Sequence, residues 1–563
     1  MNLLTRCRPR LPTVLAALLL AGCTAPVTTP PTPAPTDRLA IELSLPRDAW
    51  VTVVIEDDQG RRIRNRVAEQ FYPAGRTVID WDGRCENGAL VAPGRYRWRG
   101  LYRDAVRVNY EFSVYDAGAS LPWFHPSANT ATNSGWLSDH NPAWSVCAAG
   151  DRIFVGAITS ENGQDLMALD LDGRKHWGAS HPYGCGASDM VFDGTHVYGA
   201  GEAQWAGDNA HVYRIDPRTF QHELIWSHKG RLGLRGAAVR DGKLYLASDR
   251  QSKILILDLA TKQLAGDIPL SQPGGLGFTP DGRLLAGSGR SIVLVGADGR
   301  HTPLITDHLT RPNRLAVGAD GTIYVSDGPT SWYRANDDEH NALYGTEDVR
   351  FTGDNQIKVF DAAGQFQRAI GKPGGRRPGP YDPQAMRCPV GLALDVSNRL
   401  WVAEWDMLPK RISVWDPATG QLLKEFLGSH KYGGGGALDP GDRTQMILDG
   451  MLFKLDWPTG RWRLTDTIVD IMSVATEQTH ALGGYEDWPD RIVRVNGQPY
   501  YVAGASSWNK GGTIWRRVGE NFRAVACVRP YNPGLLPDGE PNTNHWLYAR
   551  MVEVMGPRPP GGA

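Results

Sequence analysis

From about residue 142 to residue 530 the chain repeats one pattern of apolar and polar positions. A short run of alternating side chains ends at a tight turn, Gly150-Asp151, Asp193-Gly194, Asp241-Gly242, Asp281-Gly282, Asp320-Gly321 or Asn496-Gly497. An apolar run follows: RIFVGA, HVYGAG, KLYLAS, RLLAGS, TIYVSD, PYYVAG. After a connection of variable length comes a third run, LMALDLDG, HVYRIDPRT, KILILDLATK, SIVLVGADG, QIKVFDAAG, RISVWDPATG or MLFKLDWPTG. Apolar side chains at every second position predict half-buried strands, and Asp-Gly and Asn-Gly tolerate the positive φ of hairpin turns. The unit is a four-stranded meander of about 35 to 75 residues, and repetition on that scale predicts a β-propeller. Eight blades are expected, beginning near 142, 184, 232, 273, 311, 386, 433 and 476. Seven is the alternative, because the seventh unit is short and the start of the eighth is indistinct.

Ahead of this array, residues 38–117 carry strand–turn–strand patterns of their own: VTVVIEDDQGRRIR, then TVIDWDGR and VAPGRYRWRGLYR. Alternation with Gly and Pro turns predicts a small antiparallel sandwich. The fold class expected is therefore all-β, a small sandwich followed by a propeller over 142–530. Residues 118–141 read as a connector and 531–563 as a tail without strand period. Residues 24–37, TAPVTTPPTPAPTD, are too rich in proline for helix and predict an extended tether.

Composition narrows this further. The 563 residues include 65 Gly and 39 Pro among many β-branched and aromatic residues, which excludes a helical bundle. With 60 basic and 61 acidic residues there is no strong overall field, and nucleic acid is not an expected partner. Nothing in the sequence calls for a second copy, so a monomer is expected. Beyond Cys7 and Cys23, five cysteines remain: Cys85, Cys147, Cys185, Cys388 and Cys527. They lack any C-x-x-C pair, so neither zinc nor haem attachment is expected; buried small hydrophobes explain most of them.

The first two dozen residues bear on location. Arg6, Arg8 and Arg10 precede an apolar run, Val14 to Ala21, that is too short to cross a bilayer and ends in Leu20-Ala21-Gly22-Cys23. This resembles a bacterial lipobox. The resemblance implies removal of residues 1–22, a lipidated Cys23 carrying acyl chains such as palmitate, and attachment to a membrane through that anchor. Thr24 in place of an aspartate favours the outer membrane, periplasmic or surface-facing.

Three further resemblances rest on particular residues. Asp57 to Gly60, Ala74-Gly75, Trp81-Asp82-Gly83-Arg84 and Pro93-Gly94-Arg95-Tyr96 stand in the order seen in the FlgD-type immunoglobulin-like domain, which implies a spacer or adhesion module. RPNRLAVGADGTIYVSD and PVGLALDVSNRLWVAEWD, each followed by an I-x-V-[FW]-D strand, resemble the NHL repeat, which implies a propeller of six to eight blades. Arg311-Pro312-Asn313, Ala319-Asp320-Gly321 and Tyr324-Val325-Ser326-Asp327 are similar to the central motif of the regucalcin/gluconolactonase family, where the match to Asn313 is a metal ligand. Val390-Gly391 stands where that family has an aspartate, and its early Glu-Gly-Pro motif is absent, so two ligands of three are missing.

Chemistry is expected on the propeller face where second-to-third strand connections and blade entrances emerge. Candidate catalytic residues there are His140, His181, Tyr183, Arg235, Arg311 and Arg387; a lyase would take its base from the first three and neutralise a uronate with the arginines. Candidate ligand-binding residues are Trp205, Asn313, Asp327, Trp332, Glu404, Trp405, Trp508 and Lys510. Indoles in corresponding connections of four units are read as exposed, suited to stacking on sugar rings. The insertion over 328–355 gathers Asp337, Asp338, Glu339, Glu347, Asp348 and Asp354, which makes calcium a candidate cofactor, although the spacing is not that of an EF-hand. There is no G-x-S-x-G, H-E-x-x-H, P-loop or Rossmann fingerprint. The expected function is binding of a carbohydrate-like ligand by an envelope-anchored propeller. The alternatives are a polysaccharide lyase or glycosidase on the same face, or a scaffold for another envelope protein.

Overall fold

The computed structural model describes residues 38–107, 111–112, 114–115, 142–157, 164–179, 186–202, 209–296, 298–328, 354–406, 408–428, 436–468, 489–502 and 512–528. Every regular element among them is a β-strand. The chain divides into two compact units, with the boundary between Tyr110 and Glu111.

The first unit is the expected sandwich. Its strands are β1 (Leu39–Leu45), β2 (Ala49–Asp57), β3 (Arg62–Tyr72), β4 (Gly75–Trp81) and β5 (Tyr96–Arg103). β1 pairs with β4, and the other sheet runs β3-β2-β5. Alternation decides which side chains go inside: Ile41, Leu43 and Leu45 meet Val51, Val53 and Ile55 in the core, with Trp81 beneath them. The Trp81 indole donates to the Arg84 carbonyl (2.9 Å) and meets Tyr96 edge-on, which makes the Trp-Asp-Gly-Arg segment a structural corner.

Among the described residues, the second unit has eight four-strand meanders, each built from one continuous stretch of chain. Six of them form a closed ring. Their innermost strands are Ser145–Ala149, Asp189–Phe192, Leu234–Arg240, Pro273–Phe278, Pro312–Val317 and Pro389–Leu394, in blades 1 to 6. Each packs on the next, and the strand of blade 6 packs back on that of blade 1. Glycine makes this approach feasible. A Cβ on Gly275 would stand 2.6 Å from the Asn313 carbonyl oxygen, and one on Gly391 would stand 3.0 Å from Ser145 Cα. The seam between blades 6 and 1 is closed by side chains, not by a strand borrowed from the other end of the chain. Val146, Ile153, Val155, Met167 and Leu169 interdigitate there with Ala393, Trp401, Ala403, Ile412, Val414 and Phe426.

The expectation that all eight units share one ring is thus corrected. The seventh and eighth meanders, Gly436–Thr467 and Arg491–Val528, lie outside it and pack against each other through their first strands. A short strand between blades 5 and 6, Gly379–Pro380, pairs with Arg461–Thr467 of the seventh meander. Leu408 and Leu427 of blade 6 share a core with Ile447, Met451, Phe453, Tyr501 and Trp515. The six blades already close on themselves, so the strand period that continues past residue 430 builds a separate pair of sheets.

The repeated aspartate of the third strand is a turn device. Asp216 Oδ1 accepts from Arg218 N (2.8 Å), Asp361 Oδ1 from Ala363 N (3.0 Å) and Asp416 Oδ1 from Ala418 N (2.8 Å). Each carboxylate closes the hairpin to the fourth strand.

Candidate functional site

The two faces of the ring differ in the length of their connections. On one face, first and second strands are joined by short turns, such as Gly150–Asp151 and Asp241–Gly242, between strands that end at Ala149 and Arg240 and resume at Arg152 and Lys243. On the other, second and third strands are separated by residues 157–165 in blade 1, 203–208 in blade 2, 328–355 in blade 5 and 405–409 in blade 6. Long connections in a compact repeat are where binding residues concentrate. This is the face that carries the expected chemistry.

At the root of the second-to-third strand connections a carboxylate ends the second strand (Glu202, Asp327, Glu404) or directly follows it (Asp249). Each holds the entrance of a first strand. Glu202 Oε1 accepts from the backbone N–H groups of Leu232 (2.5 Å) and Gly233 (2.8 Å). Asp249 is ion-paired with Arg235, both side chains nearly buried. Asp327, fully buried, accepts from the N–H of Thr310 (3.0 Å) and of Arg311. Glu404 accepts from the N–H of Arg387 (2.9 Å). Burial holds the Asp327 carboxyl above the ordinary aspartate range, against the N–H groups that pull it down.

Blade 6 builds the densest group. Glu404 is fully buried and receives Arg411, Arg376 (3.2 Å) and the Ser413 hydroxyl (3.2 Å), while Asp406 takes the other arm of Arg376 (2.7 Å). Arg411 reaches on to Glu425 (2.8 Å), which also accepts from Tyr381 (2.6 Å). Burial opposes the charges on Arg376 and Arg411. Asp406 and Glu404 around the first, and Glu404, Tyr381 and Glu425 around the second, outweigh it and hold both guanidinium pKa values above the usual arginine range. Beside this network Cys388 is buried within a small apolar core, and burial pushes its thiol up to about 12. Cys85 and Cys147 are likewise free thiols.

These geometries reassign several sequence-level candidates. Trp405, expected as an exposed indole, is 3% exposed and packs edge-on against Trp144 at 5.9 Å, within a small core with Cys388 and Val390. Asn313 is buried, and its amide donates to the carbonyls of Gly328 (2.9 Å) and Pro389 (3.3 Å), tying blade 5 to blade 6. Arg311 and Arg387 are buried as well, the latter donating to the Arg376 carbonyl (3.2 Å). Arg235, Arg311, Asn313, Asp327, Arg387 and Glu404 do gather at one face, but as the inner supports of its loops. The alternating pattern marks which strand positions point inward; it does not say that a charged residue at a strand end folds under its own loop.

Cys23, His140, His181, Tyr183, Trp205, Trp332, Trp508 and Lys510 lie outside the described residues. The carboxylates of the 328–355 insertion also lie outside, apart from Asp354, which pairs with Lys358. Among the described residues no three His, Cys, Asp or Glu side chains come together as a metal-binding group.

Sequence reasoning missed Arg376, Arg411 and an ion pair on the ring axis. Arg314 of blade 5 reaches Asp189 of blade 2 (3.3 Å) and the Ser188 carbonyl (2.7 Å), and Asp189 also accepts from the N–H of Ala237 in blade 3 (2.8 Å). Burial raises the Asp189 pKa in spite of that cation. The available signal was a charged residue at an inward position of two innermost strands, but nothing local pairs residues 125 positions apart.

No curated protein matches the chain. Among solved structures, a nidogen/laminin complex aligns at 15% identity over 50% of this chain and 92% of its own, with a TM-score of 0.33. The hydrazine synthase of Kuenenia stuttgartiensis aligns at 14% identity over 51% and 77%, with a TM-score of 0.26. Within the first unit, residues 33–99 match the family described as the FlgD Ig-like domain.

Proposed function

We propose that this chain is a lipid-anchored envelope protein whose propeller binds a carbohydrate ligand at the face bearing the long connections. The observation that carries the reading is the asymmetry of the ring, with short turns on one face and connections of up to 28 residues, 328–355, on the other. Beneath those connections the charges are paired: Arg235 with Asp249, Arg376 and Arg411 with Glu404. A face whose underlying cations are buried and paired suits a neutral glycan stacked on indoles better than a uronate held by arginine. A lyase that draws its cation from Arg235 is disfavoured for the same reason, and Arg311 and Arg387 are themselves buried. Lactonase chemistry of the gluconolactonase kind is not proposed, since the Asn313 amide is engaged between two blades. The NHL-like reading of blades 5 and 6 stays with the proposal, as does the outer-membrane location.

The test is a glycan array followed by titration of the best ligand. Trp205→Ala and Trp332→Ala are each expected to weaken binding by roughly 1–3 kcal/mol, the range for losing an aromatic anchor, with unfolding unchanged. His181→Ala is expected to leave binding intact and no product to accumulate. Full affinity in both tryptophan variants would remove the ligand from this face, and glycan cleavage lost in the histidine variant would make the protein an enzyme. Failure of the array together with recovery of a single envelope protein would favour the scaffold. The anchor is tested separately: Cys23→Ser should abolish palmitate labelling.

A further inference from the structure

The sandwich presents one sheet face that is both cationic and apolar. β2 and β5 pair in unbroken antiparallel register, which places Trp50 beside Arg103, Thr52 beside Leu101, Val54 beside Arg99 and Glu56 beside Arg97 on the side away from the core. β3 adds Phe71 opposite Trp50 and Arg62 opposite Glu56 on the same side. Arg97 and Arg99 both lean on the one buried carboxylate, Glu56 (3.2 and 2.5 Å), and remain 59% and 70% exposed. Two cations on one anion, with Arg62 alongside, leave that end of the face positive. The other end is apolar: Leu101 is 65% exposed, Phe71 52% and Trp50 37%, the two rings meeting edge-on at 6.1 Å.

This face has a charge bias behind it. Residues 38–107 contain thirteen arginines, no lysine and ten carboxylates, while the whole chain is balanced at 60 basic and 61 acidic residues. The positive excess is thus concentrated in the domain that follows the tether. If residues 23–37 hold the domain to a lipid by Cys23, it stays within reach of that surface, because fifteen residues of extended chain span at most about 45–50 Å.

We infer that the β3-β2-β5 face docks on an anionic phospholipid surface, with Arg62, Arg97 and Arg99 against headgroup phosphates and Leu101, Trp50 and Phe71 entering the interfacial layer. Arginine suits phosphate because its fork of donors matches two oxygens, and aromatic side chains are favoured at the level of headgroups. The inference rests on the lipid-anchor reading for the nearness of the membrane, but not for the binding itself.

The experiment therefore uses the chain from residue 23 onward with Cys23→Ser, free of leader and acyl groups, and vesicles of phosphatidylglycerol and phosphatidylethanolamine. Sedimentation with these vesicles is expected, falling steeply with salt, and none with phosphatidylcholine alone. Arg62→Gln/Arg99→Gln leaves Arg97 to hold Glu56 and should weaken the partition by on the order of thirtyfold, the product of two cations near an anionic surface. Leu101→Glu, which removes no buried partner, should weaken it with thermal unfolding unchanged. Absence of binding to anionic vesicles, or binding insensitive to both variants and to salt, overturns the proposal. Loss of palmitate labelling for wild type would overturn the anchor alone and leave the vesicle result standing.

Discussion

At the residue scale, Glu404 shows how a side chain that reads as chemistry becomes structure. A carboxylate just before Trp405-Asp406 looks like a ligand group in the sequence, yet in the fold it receives two guanidinium groups, a backbone N–H and a hydroxyl while fully buried. Glu404→Ala would strand Arg376 and Arg411 without their shared anion, and denaturant unfolding should report a loss of about 3–5 kcal/mol, the usual cost of breaking a buried pair on one side. Asp327 makes the corresponding pH argument. Its folded-state pKa lies above the ordinary aspartate value, so the folded protein holds a proton that the unfolded chain releases just above that value. The stability it contributes is full at lower pH and falls as pH rises through that window. Asp327→Asn keeps an oxygen for Thr310 and Arg311 and should flatten this part of the stability–pH curve, measured by urea unfolding between pH 4 and about 7. What was legible here was residue type and position at a strand end. What was not legible was depth, because burial depends on how far the following loop folds over the strand.

At the scale of elements, the strands were largely readable, and for a physical reason. Alternation, hairpin turns and the Asp216, Asp361 and Asp416 turn carboxylates are all local, so each meander specifies itself within its own continuous stretch of chain. The number of meanders that share one ring is a different kind of property. It is decided by how closely innermost strands approach, which glycines at Gly236, Gly275 and Gly391 permit at backbone distance. Gly275→Ala should cost about 1–3 kcal/mol, since its new methyl meets the backbone of Asn313 and Arg314. Gly266→Ala, in the outer strand of blade 3 with nothing within 4 Å of the added carbon, should change stability by less than about 0.5 kcal/mol. Similar losses for both variants, in thermal or denaturant melts, would mean that the innermost strands have slack to give.

At the scale of the whole molecule, the two units have separate cores. Deleting residues 38–107 should remove one calorimetric transition and leave the other at its original temperature. The ring itself carries a feature with a wider consequence. Arg314 and Asp189 come from blades 5 and 2, which face each other across six blades, and their ion pair lies over the axis. Like a spoke, the pair ties together two blades that are not neighbours in the ring, so a strain at one point of the rim is carried through the middle as well as around the circumference.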